Sequence, residues 1–129
     1  MSKTKKAFKA HWDRSPLSID FDGVIHKYSK GWVSPEIYDP PMDGAHESLR
    51  RLLKTHALHI LTARDSKAVI AWCRKQFPDL KFRLIPKGTQ YWQVEGVIGV
   101  TNTKLPAIAY IDDRGLRFTN WRDIINYFQ

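Results

Sequence analysis

The sequence predicts an α/β protein: a Rossmann-like parallel sheet with helices on both faces. Short, nearly continuous apolar runs alternate along the chain with segments whose apolar residues recur at helical spacing, which is the pattern of buried parallel strands joined by amphipathic helices. The composition is that of a globular protein, with 43% hydrophobic and 26% charged residues. No repeat or Gly/Ser-rich linker divides the 129 residues, so we expect one domain over residues 1–129.

The first half of the chain predicts two strands, one helix and a long irregular segment. An apolar strand over residues 17–21 is followed by a stretch rich in Gly, Pro and aromatic residues, and residues 24–43 are interpreted as a flap. Apolar residues then recur at helical spacing over about residues 44–55, and "ALHIL" at 57–61 predicts the second strand. The flap is too short for a separate cap domain.

The second half predicts a further helix, three strands and a final helix. Asp65 or Ser66 is suited to cap the helix, which must end before Pro78. Asn120 is suited to cap the final helix, with Ile124, Ile125 and Phe128 predicted to face inward. The three strands are expected at residues 82–85, 97–100 and 107–111.

Positive charge exceeds negative charge across the chain. There are 21 Lys and Arg residues against 13 Asp and Glu, for a net charge of +8, and such a field attracts phosphates and nucleic acid. The basic N-terminal extension, residues 1–15, fits this role and fits a solvated tail equally well. Cys73 is the only cysteine, and no apolar run is long enough to span a bilayer. We therefore expect a cytoplasmic protein with no membrane partner.

Polar residues follow three of the predicted strands at the point where each strand ends. Asp20 and Asp22 follow the first strand, Thr62 follows the second, and Asp112 and Asp113 follow the last. Ligands of parallel sheets gather outside the carboxyl ends of the strands. These side chains are therefore expected at one edge of the sheet.

Carboxylates crowded at one edge repel each other unless a cation lies among them, and hard oxygen ligands favour Mg²⁺. Asp20 and Asp22 are two apart on an extended chain, so they share a side. Lys104 would neutralise an arriving phosphoryl group, and Thr62 would offer a hydroxyl to its oxygens. Phosphoryl transfer depends mainly on such positioning and charge neutralisation.

Four segments, "IDFDGV", "ILTAR", the lysine of "VTNTKLPA" and "AYIDDR", resemble in this order the four motifs of the haloacid-dehalogenase-like (HAD) phosphatase superfamily. The resemblance covers about residues 18–118. The chain looks especially like small members without a large cap domain, including deoxyribonucleotidase-like and phage-encoded phosphatases. This resemblance implies a HAD-like fold.

The resemblance also implies roles for single residues. Asp20 would attack phosphorus and form an aspartyl-phosphate. Asp22 would protonate the leaving oxygen and later activate water. Mg²⁺ would be held by Asp20, by the main-chain carbonyl of Asp22 and by Asp112 or Asp113, of which Asp113 is favoured.

The roles of five cationic side chains are less sharply defined by the sequence. Lys104 is preferred as the phosphate-neutralising lysine because "TNTK" precedes the last strand as in compact relatives, and Lys87 is its competitor. Arg64, like Arg114, is suited either to clamp a phosphate or to pair with local aspartates. Lys27 is expected near the mouth of the site.

The expected activity is a Mg²⁺-dependent phosphomonoester hydrolase. Its substrate would be a phosphorylated small molecule, favoured as a nucleotide, or a nucleic-acid terminal phosphate. The alternative is a non-catalytic basic nucleic-acid-binding module on a HAD scaffold. Oligomeric state stays open.

Overall fold

The computed structural model describes residues 14–129, and the predicted α/β class and parallel sheet are confirmed there. The predicted basic extension lies outside the described residues except for residues 14 and 15. The five strands are β1 (Pro16–Asp20), β2 (Ala57–Leu61), β3 (Phe82–Leu84), β4 (Ile98–Thr101) and β5 (Ala109–Ile111). The three helices are α1 (Ala45–Leu53), α2 (Ser66–Gln76) and α3 (Trp121–Tyr127). Within residues 14–129, no helix has the length and apolar character needed to cross a membrane.

The position of β1 between β2 and β5 determines where the site lies. The strand order is β3-β4-β2-β1-β5, and β1 pairs in parallel with both β2 and β5. Asp20 is in register with Leu61, and Ile19 is in register with Ile111. The loops that follow β1, β2 and β5 therefore leave the sheet side by side at its carboxyl edge.

One face of the sheet carries the main hydrophobic core. Leu58 and Ile60 of β2 lie there with Val100 of β4, and α1 and α2 cover them with Leu49 and Cys73. Each fully buried aliphatic side chain of this kind stabilises the fold by about 2 kcal/mol. Cys73 is buried as its helical position predicts, and the Asp65 side chain caps α2 by accepting a hydrogen bond from the Ala68 N–H at 3.3 Å.

The opposite face is covered by loop residues. The inward neighbours Ile98 and Val100 belong to the main core, so Gly99 between them points the other way. A side chain at Gly99 would collide with Ile85 and Trp92, which form a second cluster with Leu105. No described helix contributes to this cluster, although the sequence predicts helices on both faces.

The final helix corrects one prediction. Asn120 caps α3 by accepting a hydrogen bond from the Asp123 N–H at 2.9 Å, as predicted. The predicted inward face is wrong, however, because Ile125 is 51% and Phe128 is 73% exposed, and no residue of α3 is buried. Helical spacing identifies an apolar stripe, but it does not supply the surface on which that stripe packs.

The flap folds back on the end of β1. The main-chain carbonyl of Phe21 accepts hydrogen bonds from the N–H groups of Ile25 and His26, both at 2.9 Å. The Ile25 carbonyl then accepts from the Met42 N–H at 2.7 Å. Ile25 and His26 are both fully buried, so the flap is anchored through its first turn.

Candidate active site

A cleft of about 430 Å³ opens at the carboxyl edge of the sheet, between β1 and β5. We call it the first cleft. Its polar lining comes from three separate parts of the chain, as the sequence predicts for this edge. The residues that define it are Ser18, Asp20, Lys104, Tyr110, Asp112 and Arg114.

Asp20 is the last residue of β1 and is half-buried. Burial is the largest influence on its carboxyl group and raises its pKa. The main-chain N–H of Phe21 donates a hydrogen bond to Oδ1 at 2.9 Å, which lowers the pKa. The negative charges of Asp113, Asp22 and Asp112 raise it further, and the net shift is upward. The predicted crowding of carboxylates around Asp20 is therefore present.

The side chain of Asp22 points to two basic partners. Arg64 donates from Nε to both carboxylate oxygens, at 3.0 Å and 2.9 Å. Nδ1 of His26 lies 2.8 Å from Oδ1 of the same carboxylate. Oδ1 thus faces two donors and Oδ2 one, so among the described contacts Oδ2 keeps an acceptor position at which Asp22 can exchange a proton.

His26 has one proton arrangement that satisfies both of its ring nitrogens. Nε2 accepts a hydrogen bond from the main-chain N–H of Asp39 at 3.0 Å, so Nε2 carries no proton. Nδ1 then carries the proton and donates it to Asp22. The buried imidazole thus links the flap to the end of β1. The sequence did not predict that His26 binds Asp22. The only sequence signal for this contact is the spacing of four residues between them.

Arg64 connects the flap to Asp22. The residue is buried, and Nη1 donates to the main-chain carbonyl of Pro35 at 2.8 Å. Its guanidinium carbon lies 4.9 Å from the ring centre of Trp32 and 5.9 Å from that of Tyr28, distances at which a cation is attracted to an aromatic face. In this arrangement Arg64 pairs with a local aspartate, which was one of its two predicted roles.

Thr62 is buried within the turn after β2. Its hydroxyl oxygen accepts a hydrogen bond from the main-chain N–H of Arg64 at 3.1 Å. The side-chain amide of Asn102 donates to the carbonyls of Thr62 and Arg64, at 2.7 Å and 2.8 Å. Asn102 therefore fixes this turn from the neighbouring strand, a role that its position in "TNTK" did not reveal.

The acidic pair after β5 divides into two different environments. Oδ1 of Asp112 accepts hydrogen bonds from the main-chain N–H groups of Arg114, at 3.1 Å, and Gly115. Asp113 instead packs against Gly23, so closely that a side chain there would collide with its carboxylate. Gly23 also has φ +84°, a conformation that favours glycine. Asp113 therefore lies against Gly23, the residue that follows Asp22.

The donors near Asp20 are compatible with a Mg²⁺ ion. Among residues 14–129, no group of three or more His, Cys, Asp or Glu side chains is arranged to hold a metal ion. The predicted ligand set requires only two side chains, those of Asp20 and Asp113, together with the Asp22 carbonyl, because Mg²⁺ commonly retains several waters. No described residue donates a hydrogen bond to that carbonyl. Hard oxygen donors and the crowding at Asp20 both fit such an ion.

The three predicted lysines lie in three different places. Lys104 lines the first cleft, and its Nζ lies 4.7 Å from the ring centre of Tyr110. Lys87 lines a second cleft at the ends of β3 and β4. Lys27 is exposed on the flap and lines neither cleft, although its main-chain N–H bonds the Pro40 carbonyl at 3.1 Å. Of the three, only Lys104 shares a cleft with Asp20.

Comparisons of the chain with models of protein families, with curated proteins and with solved structures give no significant match.

Proposed function

We propose that this protein is a Mg²⁺-dependent phosphomonoester hydrolase with a HAD-like fold and site. The observation that carries the proposal is the setting of Asp20. This carboxylate ends β1, which pairs on both sides with a parallel strand, lines a cleft shared with Lys104, and has its pKa raised by burial and by three further carboxylates. An electron-rich group at the strand end, beside a cation and a cluster of oxygen donors, is suited to phosphoryl transfer.

The strand order supports the HAD-like interpretation. β1, which ends at Asp20, lies between β2, which leads to Thr62, and β5, which leads to Asp112 and Asp113. Lys104 belongs to the connection between β4 and β5. The four segments that resemble HAD motifs are therefore neighbours at one sheet edge, although they are far apart in the chain.

The ligands of Mg²⁺ in this proposal are Asp20, Asp113 and the main-chain carbonyl of Asp22. Asp113 is preferred to Asp112 because Asp112 already accepts two main-chain hydrogen bonds, whereas Asp113 lies against Gly23, the residue after Asp22. The bound ion would supply positive charge that offsets repulsion between the carboxylates and the phosphoryl oxygens.

The reaction divides into two displacements at phosphorus. Asp20 attacks the phosphorus atom, the bond to the leaving oxygen breaks, and an aspartyl-phosphate forms. Asp22 gives a proton to the leaving oxygen and then takes one from water as that water attacks the same phosphorus. The second displacement releases inorganic phosphate and restores the Asp20 carboxylate, so atoms and charge balance.

In this proposal Lys104 is the cation that neutralises the phosphoryl oxygens. Its ammonium lies over the Tyr110 ring at the side of the first cleft. The Tyr110 hydroxyl in turn donates to the Leu105 carbonyl at 2.7 Å, which holds the ring in place. Lys104 can exchange part of its contact with the ring for contact with phosphoryl oxygens, while Lys87 serves a different cleft.

The test is phosphate release from a panel of nucleotides, terminally phosphorylated oligonucleotides and sugar phosphates. The wild type is compared with Asp20→Asn and Lys104→Gln, each with Mg²⁺ and with a chelator. Glu95→Gln, on an exposed loop, serves as the control for loss of one carboxylate, and Lys81→Gln, at an exposed position that lines neither cleft, as the control for loss of one lysine. Lys87→Gln tests the competing lysine. We expect metal-dependent release that is lost in Asp20→Asn and reduced at least about 100-fold in Lys104→Gln.

Three outcomes would contradict this proposal. Release that persists in Asp20→Asn would exclude Asp20 as nucleophile. Equal losses in Lys104→Gln and Lys87→Gln would remove the assignment of Lys104. If no substrate is hydrolysed while oligonucleotides bind tightly and salt-sensitively, the protein is the non-catalytic nucleic-acid-binding module.

A further inference from the structure

A second cleft of about 450 Å³ lies at the same edge of the sheet. It is bounded by the ends of β3 and β4 and by the first turn of α2, and the turn from Thr62 to Arg64 separates it from the first cleft. Residues that matter for its chemistry are Ser66, Lys67, Lys87, Thr89, Asn102 and Thr103. Neither the nucleophile nor the acidic pair lines it.

The charges around the second cleft favour an anion. Lys67 and Lys87 both line it and both are exposed. Asp65 is the one acidic residue in its described lining, and its carboxylate already accepts from the Ala68 N–H. The two ammonium groups are therefore opposed by a single carboxylate that is committed to capping α2.

Ser66 supplies a buried donor without an acceptor. The residue is 6% exposed, and its hydroxyl oxygen has no hydrogen-bond partner among the described residues. Ser66 and Lys67 are also the first two residues of α2, and their main-chain N–H groups have no acceptor within the helix. A buried hydroxyl and two free N–H groups beside two lysines form a set of donors suited to phosphate oxygens.

The second cleft adjoins the first through a single bend of the chain. Thr103 lines the second cleft and Lys104, the next residue, lines the first, so their Cα atoms are about 3.8 Å apart. Asn102, which lines the second cleft, bonds the carbonyls of Thr62 and Arg64. The two clefts therefore meet at this bend.

We propose that the second cleft binds an internal phosphodiester of a nucleic-acid strand whose terminal phosphate lies in the first cleft. The orientation of the strand rests on the proposed hydrolase function, whereas the anion site rests on Ser66, Lys67 and Lys87 alone. Single-stranded nucleic acid presents phosphates in regular succession, which a nucleotide monophosphate does not. The second cleft thus selects a strand end over a mononucleotide.

The experiment measures binding, so it does not depend on turnover. Fluorescein-labelled trithymidylates, one with a 5′-phosphate and one with a 3′-phosphate, are titrated in fluorescence anisotropy, and the tighter one is retained. Labelled mononucleotide monophosphate is the one-phosphate probe. Asp20→Asn provides the background, into which Lys87→Gln, Ser66→Ala or Lys81→Gln is introduced. Lys81 precedes β3 and Lys87 follows it, so Lys81→Gln removes the same charge from the opposite end of one strand.

We expect Lys87→Gln to weaken trinucleotide binding about fivefold relative to Lys81→Gln. It should also reduce the slope of log affinity against log salt by about one. Ser66→Ala should weaken trinucleotide binding as well, and neither variant should change binding of the mononucleotide. Thermal unfolding of each variant checks that the fold is retained.

Equal effects of Lys87→Gln and Lys81→Gln would overturn the proposal, and so would a trinucleotide that binds no more tightly than the mononucleotide. The result is independent of the hydrolase test. If binding depends on Lys87 but no phosphate is released, the proposed hydrolase function is rejected and the proposed anion site is supported. If phosphate is released but Lys87→Gln does not weaken trinucleotide binding, the hydrolase function is supported and the proposed role of the second cleft is rejected.

Discussion

Two acidic loops lie side by side at the carboxyl edge of the sheet and are held in opposite ways. The loop after β1 contains Asp22, whose carboxylate is bound by Arg64 from the turn after β2 and by the buried His26. The loop after β5 contains Asp112, whose carboxylate has as its hydrogen-bond donors, within residues 14–129, the main-chain N–H groups two and three residues further on. The first loop depends on long-range contacts, whereas the second is shaped by its own turn.

This difference indicates that the two loops contribute differently to stability and to activity. Buried partners hold the proposed general acid and base in one orientation, so substitutions there should cost stability. The exposed loop after β5 has few partners to lose, so substitutions there should affect metal binding and activity more than folding. Four substitutions test this contrast, and each has a matched partner elsewhere in the chain.

The largest effect is expected from Arg64→Met. This change removes the buried guanidinium from Asp22 and from the Pro35 carbonyl, and we expect the free energy of unfolding to fall by about 3 kcal/mol. Arg114→Met is the partner in the loop after β5. Arg114 is exposed, so its replacement should cost less than about 0.5 kcal/mol. Urea unfolding measures both, and equal losses would contradict the contrast.

The next effect is expected from His26→Phe. Phenylalanine retains the ring volume and the stacking on Phe21, at 5.6 Å between ring centres, but it removes one of the two hydrogen bonds to Oδ1 of Asp22 and leaves the Asp39 N–H unpaired. We expect a loss of about 2 kcal/mol. His46 likewise contacts an aspartate, at 2.6 Å, and a phenylalanine ring, but at the surface.

His46→Phe is therefore the matched change, with an expected loss of at most about 1 kcal/mol in the same urea titration. If His46→Phe costs as much as His26→Phe, burial is not what makes the His26 link important.

Gly23→Ala tests the contact between the two loops. Alanine at φ +84° is strained and would displace the Asp113 carboxylate, so we expect a stability loss of about 1–2 kcal/mol and a weaker response to Mg²⁺. Gly96→Ala, at φ +77° with nothing within 4 Å, has the backbone strain without the collision. The rise in melting temperature with increasing Mg²⁺ should therefore be reduced in Gly23→Ala but not in Gly96→Ala. A normal rise in Gly23→Ala would show that Asp113 does not bind the metal.

Asp20→Asn should have the smallest effect on stability and should raise it. Burial and neighbouring carboxylates raise the folded-state pKa of Asp20, so its ionisation opposes folding. This penalty develops as pH rises from the unfolded-state pKa, about 4, through the raised folded-state pKa, and it is absent below about pH 4.

In chelator, the variant should therefore be more stable than the wild type at about pH 7 and equal to it at about pH 3. Glu95→Gln, an exposed carboxylate, should show no such pH dependence. A variant less stable than the wild type at neutral pH would mean that Asp20 gains more from its surroundings than it loses.

The fold was largely predictable because its elements carry strong local signals. β1 and β2 are short apolar runs, and the Asp65 cap and Pro78 mark the limits of α2. The convergence of Asp20, Lys104 and Asp112 also followed from the sequence, because parallel strands bring their carboxyl ends to one edge.

The sequence could not predict that the apolar face of α3 is exposed, nor which residues bind Asp22. Both failures have the same cause. Arg64 reaches Asp22 across 42 positions of sequence, and its second contact is the Pro35 carbonyl, a group that every residue has. Likewise, the stripe containing Ile125 and Phe128 indicates a helix without indicating its neighbour. Periodicity reports local conformation, whereas these features depend on where distant segments meet.

The most direct test of the central claim is to look for phosphate covalently attached to the protein. The wild type is mixed with the best substrate of the panel and Mg²⁺, quenched in acid within the first turnover, and its intact mass is measured. The proposed mechanism predicts a population of protein heavier by one phosphoryl group, and hydroxylamine should release that group. The population should be absent from Asp20→Asn and present in Glu95→Gln. Phosphate release without any such adduct, or an adduct that survives in Asp20→Asn, would contradict it.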